Sequence, residues 1–320
     1  MSSILIIGAG QLGSRHLQGV LQSNKVSVIT VVDPSISALR LTTKRAEEVT
    51  NYNKNILVSY LTEVPAKSFF DICIIATSAD VRAFVTRDLL KKSSVKHIIF
   101  EKVLFQRSSD YFDIKKLLDD MSVQGWVNCP RRTFSTYKTI KEEIDINMPV
   151  CIQVKGDNWG LGCNSIHFID IFAYLVESSS IDAVSFHFTN EVVESKRVGF
   201  YEIFGTIELC IGVHSLSLEC NSEDSMKLTV SLSNGEDAYF IDEIEQYWRR
   251  TLKEDGEKIS YKPQFQSELT GKIVDQLLAC SSCELTPLAE SIELHMPLIS
   301  CIQNHISTVF NKKFDFCPIT

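Results

Sequence analysis

The stretch Ser3-Ile4-Leu5-Ile6-Ile7-Gly8-Ala9-Gly10-Gln11-Leu12-Gly13 decides the fold. Four apolar residues, a run of strand length, lead straight into Gly-x-Gly-x-x-Gly, and Leu12 to Leu21 then carries apolar residues at helical spacing. In such a strand, turn and helix the first glycine permits the tight turn. The second lets phosphates approach the backbone, and the third lets the helix lie close on its strand. The helix start offers free N–H groups and the positive end of its dipole to a pyrophosphate. Val26 to Val32 reads as a second strand, and Asp33 follows twenty-five positions after Gly8. A carboxylate there accepts hydrogen bonds from an adenosine ribose and repels a ribose phosphate. The residues predict a dinucleotide site at Gly8, Gly10, Gln11, Leu12, Gly13 and Asp33, with NAD favoured over NADP.

Outward from that stretch, short apolar runs alternate with amphipathic ones. Further strands are expected at Asn55 to Val58, Asp71 to Ala76, His97 to Phe100 and Gly125 to Asn128. Helices are expected at Ile36 to Val49, Asp80 to Lys91 and Asp110 to Met121. The pattern predicts a doubly wound parallel sheet with right-handed crossovers. Two strand ends then hold polar groups where such sheets bind ligands. Ala76-Thr77-Ser78 either lines a nicotinamide ribose or caps the next helix, and Glu101-Lys102 follows the buried run Ile98-Ile99-Phe100.

The texture changes near residue 130. Thr133 to Ile146 reads as a connecting helix, and Val150 to Lys155, Ala183 to Asn190, Tyr201 to Cys210, Ser215 to Cys220 and Lys227 to Leu232 read as strands of an open, mostly antiparallel sheet. Ser233-Asn234-Gly235 marks a turn. Helices at Gln264 to Ala279 and Pro287 to Thr308 close the chain. We therefore expect an α/β dinucleotide domain over residues 1–130 and an α+β substrate and oligomerisation domain over residues 131–320. Alternation places Val184, Phe186 and Phe188 on one side, either a contact surface or a face under the terminal helices.

Composition narrows the function classes. The 320 residues carry 32 basic and 40 acidic side chains, a net charge of −8, with no long Lys/Arg run, so nucleic acid is not an expected partner. No apolar run approaches the ~20 residues of a membrane helix, and the N-terminus lacks a basic leader, so a cytoplasmic location is expected. Ten scattered cysteines read as reduced thiols; Cys280 and Cys283 form one CxxC without the second pair of a zinc site, so no metal is expected.

Gly8, Gly10 and Gly13, Ala76-Thr77 and Glu101-Lys102 occur in the order that resembles the Gfo/Idh/MocA family of NAD(P)-dependent oxidoreductases, which pair a Rossmann domain with an open-sheet α/β domain. Arg131, Arg132 and Tyr137 resemble arginine and aromatic positions after its sixth strand, and His167 with Asp170 resembles its His-x-x-Asp segment. The resemblance implies hydride transfer between a nicotinamide and a sugar, sugar nucleotide or polyol. Lys102 holds the substrate oxygen and His167 acts as acid/base, with the roles open to exchange. It also makes Ala76, Thr77, Ser78, Glu101 and Lys102 part of the cofactor site, Arg131, Trp159, Asn164 and Asp170 part of the substrate site, and the second sheet the contact of a homodimer or homotetramer. Four positions depart from the family. Val103 and Ser78 replace prolines, Arg82 replaces a common histidine, and Cys163 replaces an aspartate four residues before His167. That last loss keeps open an NAD-binding sensor or regulatory subunit without catalysis; a redox-assisted eliminase or glycosidase is a third reading.

Overall fold

A computed structural model describes residues 2–50, 53, 55–250 and 256–320, and the chain divides into two compact units. The first comprises Met1–Phe105, Ser109–Asn128 and Gln264–Ala289; the second comprises Gln106–Ser108, Cys129–Pro263 and Glu290–Thr320.

In the first unit strands and helices alternate: β1 (Ser3–Ile7), α1 (Gln11–Val20), β2 (Val28–Val32), α2 (Ile36–Glu47), β3 (Leu57–Leu61), β4 (Phe69–Ile75), α3 (Ala79–Lys92), β5 (Ser94–Glu101), α4 (Ser108–Asp120) and β6 (Gln124–Asn128). The strands lie in the order β6-β5-β4-β1-β2-β3, all pairs parallel, so the order reverses on either side of β1. Ile4, Leu5, Ile6 and Ile7 are all buried, which a strand of a parallel sheet covered on both faces requires. Each such side chain contributes roughly 1.5–3 kcal/mol of burial.

The chain returns to this unit late. Helix α7 (Gln266–Cys280) packs on α1, and the short strand β15 (Thr286–Pro287) pairs antiparallel with β6. Close approach explains the pairing of the helices: a Cβ on Gly271 would sit 2.5 Å from the Gly19 carbonyl oxygen, so only glycine fits where they cross. The expected division at residue 130 therefore falls close to the passage after Asn128 but does not include the short excursion of Gln106–Ser108 or the return of Gln264–Ala289. That return depends on a surface of α1 which local pattern does not reveal.

The second unit opens with a 3-10 turn at Pro130–Thr133 and α5 (Ser135–Glu143). The helix expected over Thr133 to Ile146 is thus present but shorter at both ends. Phe134 is extended, and the Thr133 hydroxyl closes the turn onto the Pro130 carbonyl at 2.7 Å. Then follow β7 (Val150–Asp157), α6 (Leu161–Val176), β8 (Ala183–Glu194), β9 (Tyr201–Ile211), β10 (His214–Asn221), β11 (Leu228–Asn234), β12 (Asp237–Asp242), β13 (Tyr247–Arg250), β14 (Ile259–Ser260) and α8 (Leu288–Val309). The sheet order is β14-β13-β12-β11-β7-β10-β9-β8, antiparallel except for β7 beside β10. The turn signal at Asn234-Gly235 does close a hairpin, with Gly235 at φ +63°.

Strand register sorts the two faces of this sheet. Ile152, Leu209, Leu216, Leu232 and Tyr239 lie in one row and are buried. Val184 belongs to that row, and Phe188 lies 4.9 Å from the His305 ring of α8. The Val184, Phe186 and Phe188 side is therefore the face under the terminal helix. The opposite face carries Gln153, Ser185, Glu208, Ser217, Ser231 and Phe240 around a shallow hollow of about 770 Å³. Among the described residues no helix is long and apolar enough to cross a membrane.

Candidate dinucleotide and substrate sites

The glycine turn of the first unit is built for a close ligand. Gly8 stands at φ +98°, and a Cβ there would lie 3.0 Å from the Ala76 backbone. A Cβ on Gly13 would fall 1.7 Å from the Gly8 carbonyl oxygen, whereas one on Gly10 would meet nothing within 4 Å. The helix is thus pressed onto the turn while the space over Gly10 stays open. Gly10, Gln11 and Leu12 are exposed, and no side chain caps the start of α1, so its amides are available to an anion.

Asp33 holds this turn from the end of β2. Its Oδ2 accepts the Ala9 N–H at 2.7 Å and its Oδ1 the Ser35 N–H at 2.8 Å. The Thr42 hydroxyl donates to the Ala9 carbonyl at 2.7 Å. Arg45 of α2 reaches across to Gln11 Oε1 and Ser14 Oγ, both at 2.6 Å, and sets a guanidinium beside the first turn of α1. No sequence motif singles out Arg45; an (i, i+31) approach is a product of the fold.

At the other strand ends, Ser78 is the N-cap residue of α3 but makes no side-chain capping bond, and Thr77 Oγ1 is screened from solvent without a hydrogen-bond partner among the described residues. Arg82 explains its own departure from the family. Its buried guanidinium donates to the carbonyls of Thr77, Val103 and Leu104, the last at 2.8 Å, and so ties the loop after β4 to the loop after β5. The Lys102–Val103 peptide is cis. Glu101 is buried, with Oε1 accepting from His16 at 2.7 Å and Asn128 at 2.6 Å.

In the second unit the remaining expected residues gather on α6 and the loop before it. Left-handed Asn158 and Gly160 (φ +47° and +80°) turn β7 into α6. Asn164 Nδ2 closes that turn on the Trp159 carbonyl at 2.8 Å. Trp159 Nε1 donates to the Glu219 carbonyl at 2.9 Å, and its ring meets Phe168 edge-on at 5.5 Å. Of the sixteen residues of α6, all are buried except Cys163, Asn164, His167 and Tyr174, which form one accessible stripe. Ile171, on the same side of the helix as Asn164 and His167, is buried.

Arg131 pairs with Glu243 at 2.6 Å and lies over the Phe168 ring at 4.8 Å. Glu243 lies just beyond the end of β12. Tyr137 also donates to Glu243, at 3.0 Å; burial first and that carboxylate second push its hydroxyl well above the ordinary phenol range. Burial works to lower Arg131, but Glu243 and Tyr137 more than offset it. Asp170, 1% exposed, faces Arg132 at 3.6 Å. Glu202 of β9, which no motif marks, accepts the Gly162 N–H at 3.0 Å and brings a carboxylate to the start of α6, beside Cys163. Lys102 belongs to the first unit and His167 to the second. Among the described residues no group of three or more His, Cys, Asp or Glu is placed to hold a metal ion.

Residues 2–129 match the model of an oxidoreductase family with an NAD-binding Rossmann fold, Gfo/Idh/MocA. These residues belong to the Gfo/Idh/MocA family. The fold of the whole chain is similar to that of solved family structures. A Gfo/Idh/MocA oxidoreductase from Vibrio cholerae matches at TM-score 0.69 with 14% identity, over 97% of this chain and all of that one. The WlbA dehydrogenase of Bordetella pertussis, solved with NADH and UDP-GlcNAcA, matches at 0.70 with 12% identity, over 94% of each chain. Biliverdin reductase from Synechocystis, solved with biliverdin and NADP+, matches at 0.70 with 10% identity, over 94% of this chain and 98% of that one. No curated protein matches the chain in sequence.

Proposed function

We propose that this Gfo/Idh/MocA chain is an NAD-dependent oxidoreductase acting on a CH–OH or keto carbon of a sugar, sugar nucleotide or polyol. One observation carries the cofactor: the space over Gly10 stays clear while Gly8 and Gly13 are packed to backbone contact, so the turn keeps room for a ligand over Gly10. Asp33, a carboxylate where a 2′-phosphate would lie, supports NAD over NADP.

NAD, when bound, supplies the acceptor or donor of hydride. Lys102 holds the substrate oxygen through its ammonium. His167 takes the hydroxyl proton as the C–H bond breaks and C=O forms, and returns it in the reverse direction; imidazole is the side chain best suited to this near neutral pH. Trp159 and Asn164 contact the sugar. Arg131 and Asp170 act mainly by holding the turn and α6, since both are engaged by partners. The sugar-nucleotide complex of WlbA supports the substrate class. The polar outer face of the second sheet is proposed as the contact of a homodimer.

Fluorescence titration with NADH and NADPH tests the cofactor; absorbance assays over keto sugars, sugar nucleotides and polyols test the chemistry. Turnover lost in Lys102→Ala and His167→Ala with NADH binding kept supports the assignment. Full activity in His167→Ala removes that residue from the mechanism. NADH binding without turnover on any substrate favours the sensor reading, to which Cys163 points.

A further inference from the structure

The buried polar network behind Glu101 lies wholly within the first unit, and its protons can be assigned atom by atom. Thr270 Oγ1 lies 2.8 Å from the carbonyl oxygen of Gln266. A carbonyl has no hydrogen, so the single hydroxyl hydrogen of Thr270 is spent there. Gln266 Nε2 donates to the same Oγ1 at 2.8 Å, which orients its Oε1 to accept from Asn128 Nδ2 at 2.8 Å. The other hydrogen of that amide goes to Glu101 Oε1 at 2.6 Å. His16 Nδ1 stands 2.9 Å from Thr270 Oγ1, which has no hydrogen left to give, so Nδ1 carries one. A neutral imidazole has only one ring hydrogen, yet Nε2 meets Glu101 Oε1 at 2.7 Å. A proton must therefore lie between them.

Burial alone would raise the Glu101 carboxyl, but the hydrogen bond and charge of His16, the Asn128 amide and the charge of Arg82 hold it below its ordinary value. No protein donor reaches Oε2 of Glu101 among the described residues.

We propose that His16 is a positioning residue of the dinucleotide site: as an imidazolium it locks Glu101 Oε1, so that Oε2 is held ready for a hydroxyl of the bound nucleotide. The role of Oε2 rests on the dinucleotide reading above; the resident proton does not. His16 thereby couples α1, which opens at the phosphate turn, to the end of β5. Its partner Thr270 lies 254 positions away in sequence, so the late return of α7 completes the device.

Nitrogen NMR of histidine-labelled protein at pH 7, with His16 assigned from its loss in His16→Gln, tests the proton. Both ring nitrogens of His16 carry hydrogen in the wild type, and only Nδ1 does in Glu101→Gln. A bare Nε2 in the wild type overturns the proposal. NADH titration tests the positioning. His16→Phe lowers affinity tenfold or more, and His16→Gln, which keeps a donor toward Glu101, stays within about threefold of wild type. Wild-type affinity in a folded His16→Phe, or equal loss in both variants, overturns the role. Should His16→Phe not fold, the His16→Gln titration and the Glu101→Gln spectrum decide. A wild type that binds neither NADH nor NADPH removes the positioning role together with the reading it rests on, while the nitrogen spectrum still decides the proton.

Discussion

Adding one methyl group to either of two glycines in the same turn should separate folding from binding. In Gly13→Ala the new Cβ lies 1.7 Å from the Gly8 carbonyl oxygen, well inside the 3.0 Å below which something must shift, and the obstacle is backbone. Overpacking of this kind costs about 3 kcal/mol, the upper end of its usual range. Alanine recovers about 1 kcal/mol of helix propensity over glycine. The net loss is about 2 kcal/mol, or roughly 4–8 °C in Tm for a unit of this size. Gly10 has φ −74° and open space around its missing Cβ. In Gly10→Ala the poorer N-cap and the stiffer unfolded chain nearly cancel, so stability moves by less than about 0.5 kcal/mol. The methyl group nevertheless fills the space assigned to the pyrophosphate, and NADH affinity falls at least tenfold, about 1.4 kcal/mol. Circular-dichroism melting and NADH fluorescence on both variants read the two effects. A Gly10→Ala protein that melts as low as Gly13→Ala, or binds NADH as the wild type does, would refute the reasoning.

Three further outcomes follow from the same geometry. Arg82→Met strips three carbonyls of their buried donor and should lower stability by about 3 kcal/mol in urea unfolding; a loss below about 1 kcal/mol would deny the clamp between the two loops. His97 is 1% exposed, has no hydrogen-bond partner among the described residues, and burial first, then Lys96, lower its pKa. The unfolded chain then binds the proton more readily, so stability is full above about pH 6.5 and falls on acidification below it. Urea unfolding at pH 7.5 and 5.5 should show that fall, and His97→Phe should reduce it; part will remain because burial also lowers the His305 pKa. Asp33→Ser removes the carboxylate that holds Ala9 and Ser35 and repels a 2′-phosphate, so NADH binding should weaken about tenfold while the NADPH-to-NADH affinity ratio rises; an unchanged ratio in the two titrations would count against Asp33 as the selector.

Local features were legible from the residues alone. The apolar run Ile4–Ile7, the glycines at 8, 10 and 13 and the helical spacing that follows act within a dozen residues, where steric limits and side-chain period decide the outcome. The same holds for the alternation of strands and helices down to β6 and for the hairpin at Asn234-Gly235. Long-range partners were set by the assembled fold. The 3.6 and 2.0 periods say which side of an element is buried, not against what. Glu243 pairs with Arg131, Glu202 brings a carboxylate to Cys163, and Arg82 ties two loops together, because strand order and register carry those groups to their partners. The return of α7 to α1 is the largest such decision, since it rests on two glycines, Gly19 and Gly271, more than two hundred and fifty positions apart, whose missing side chains let two helices touch.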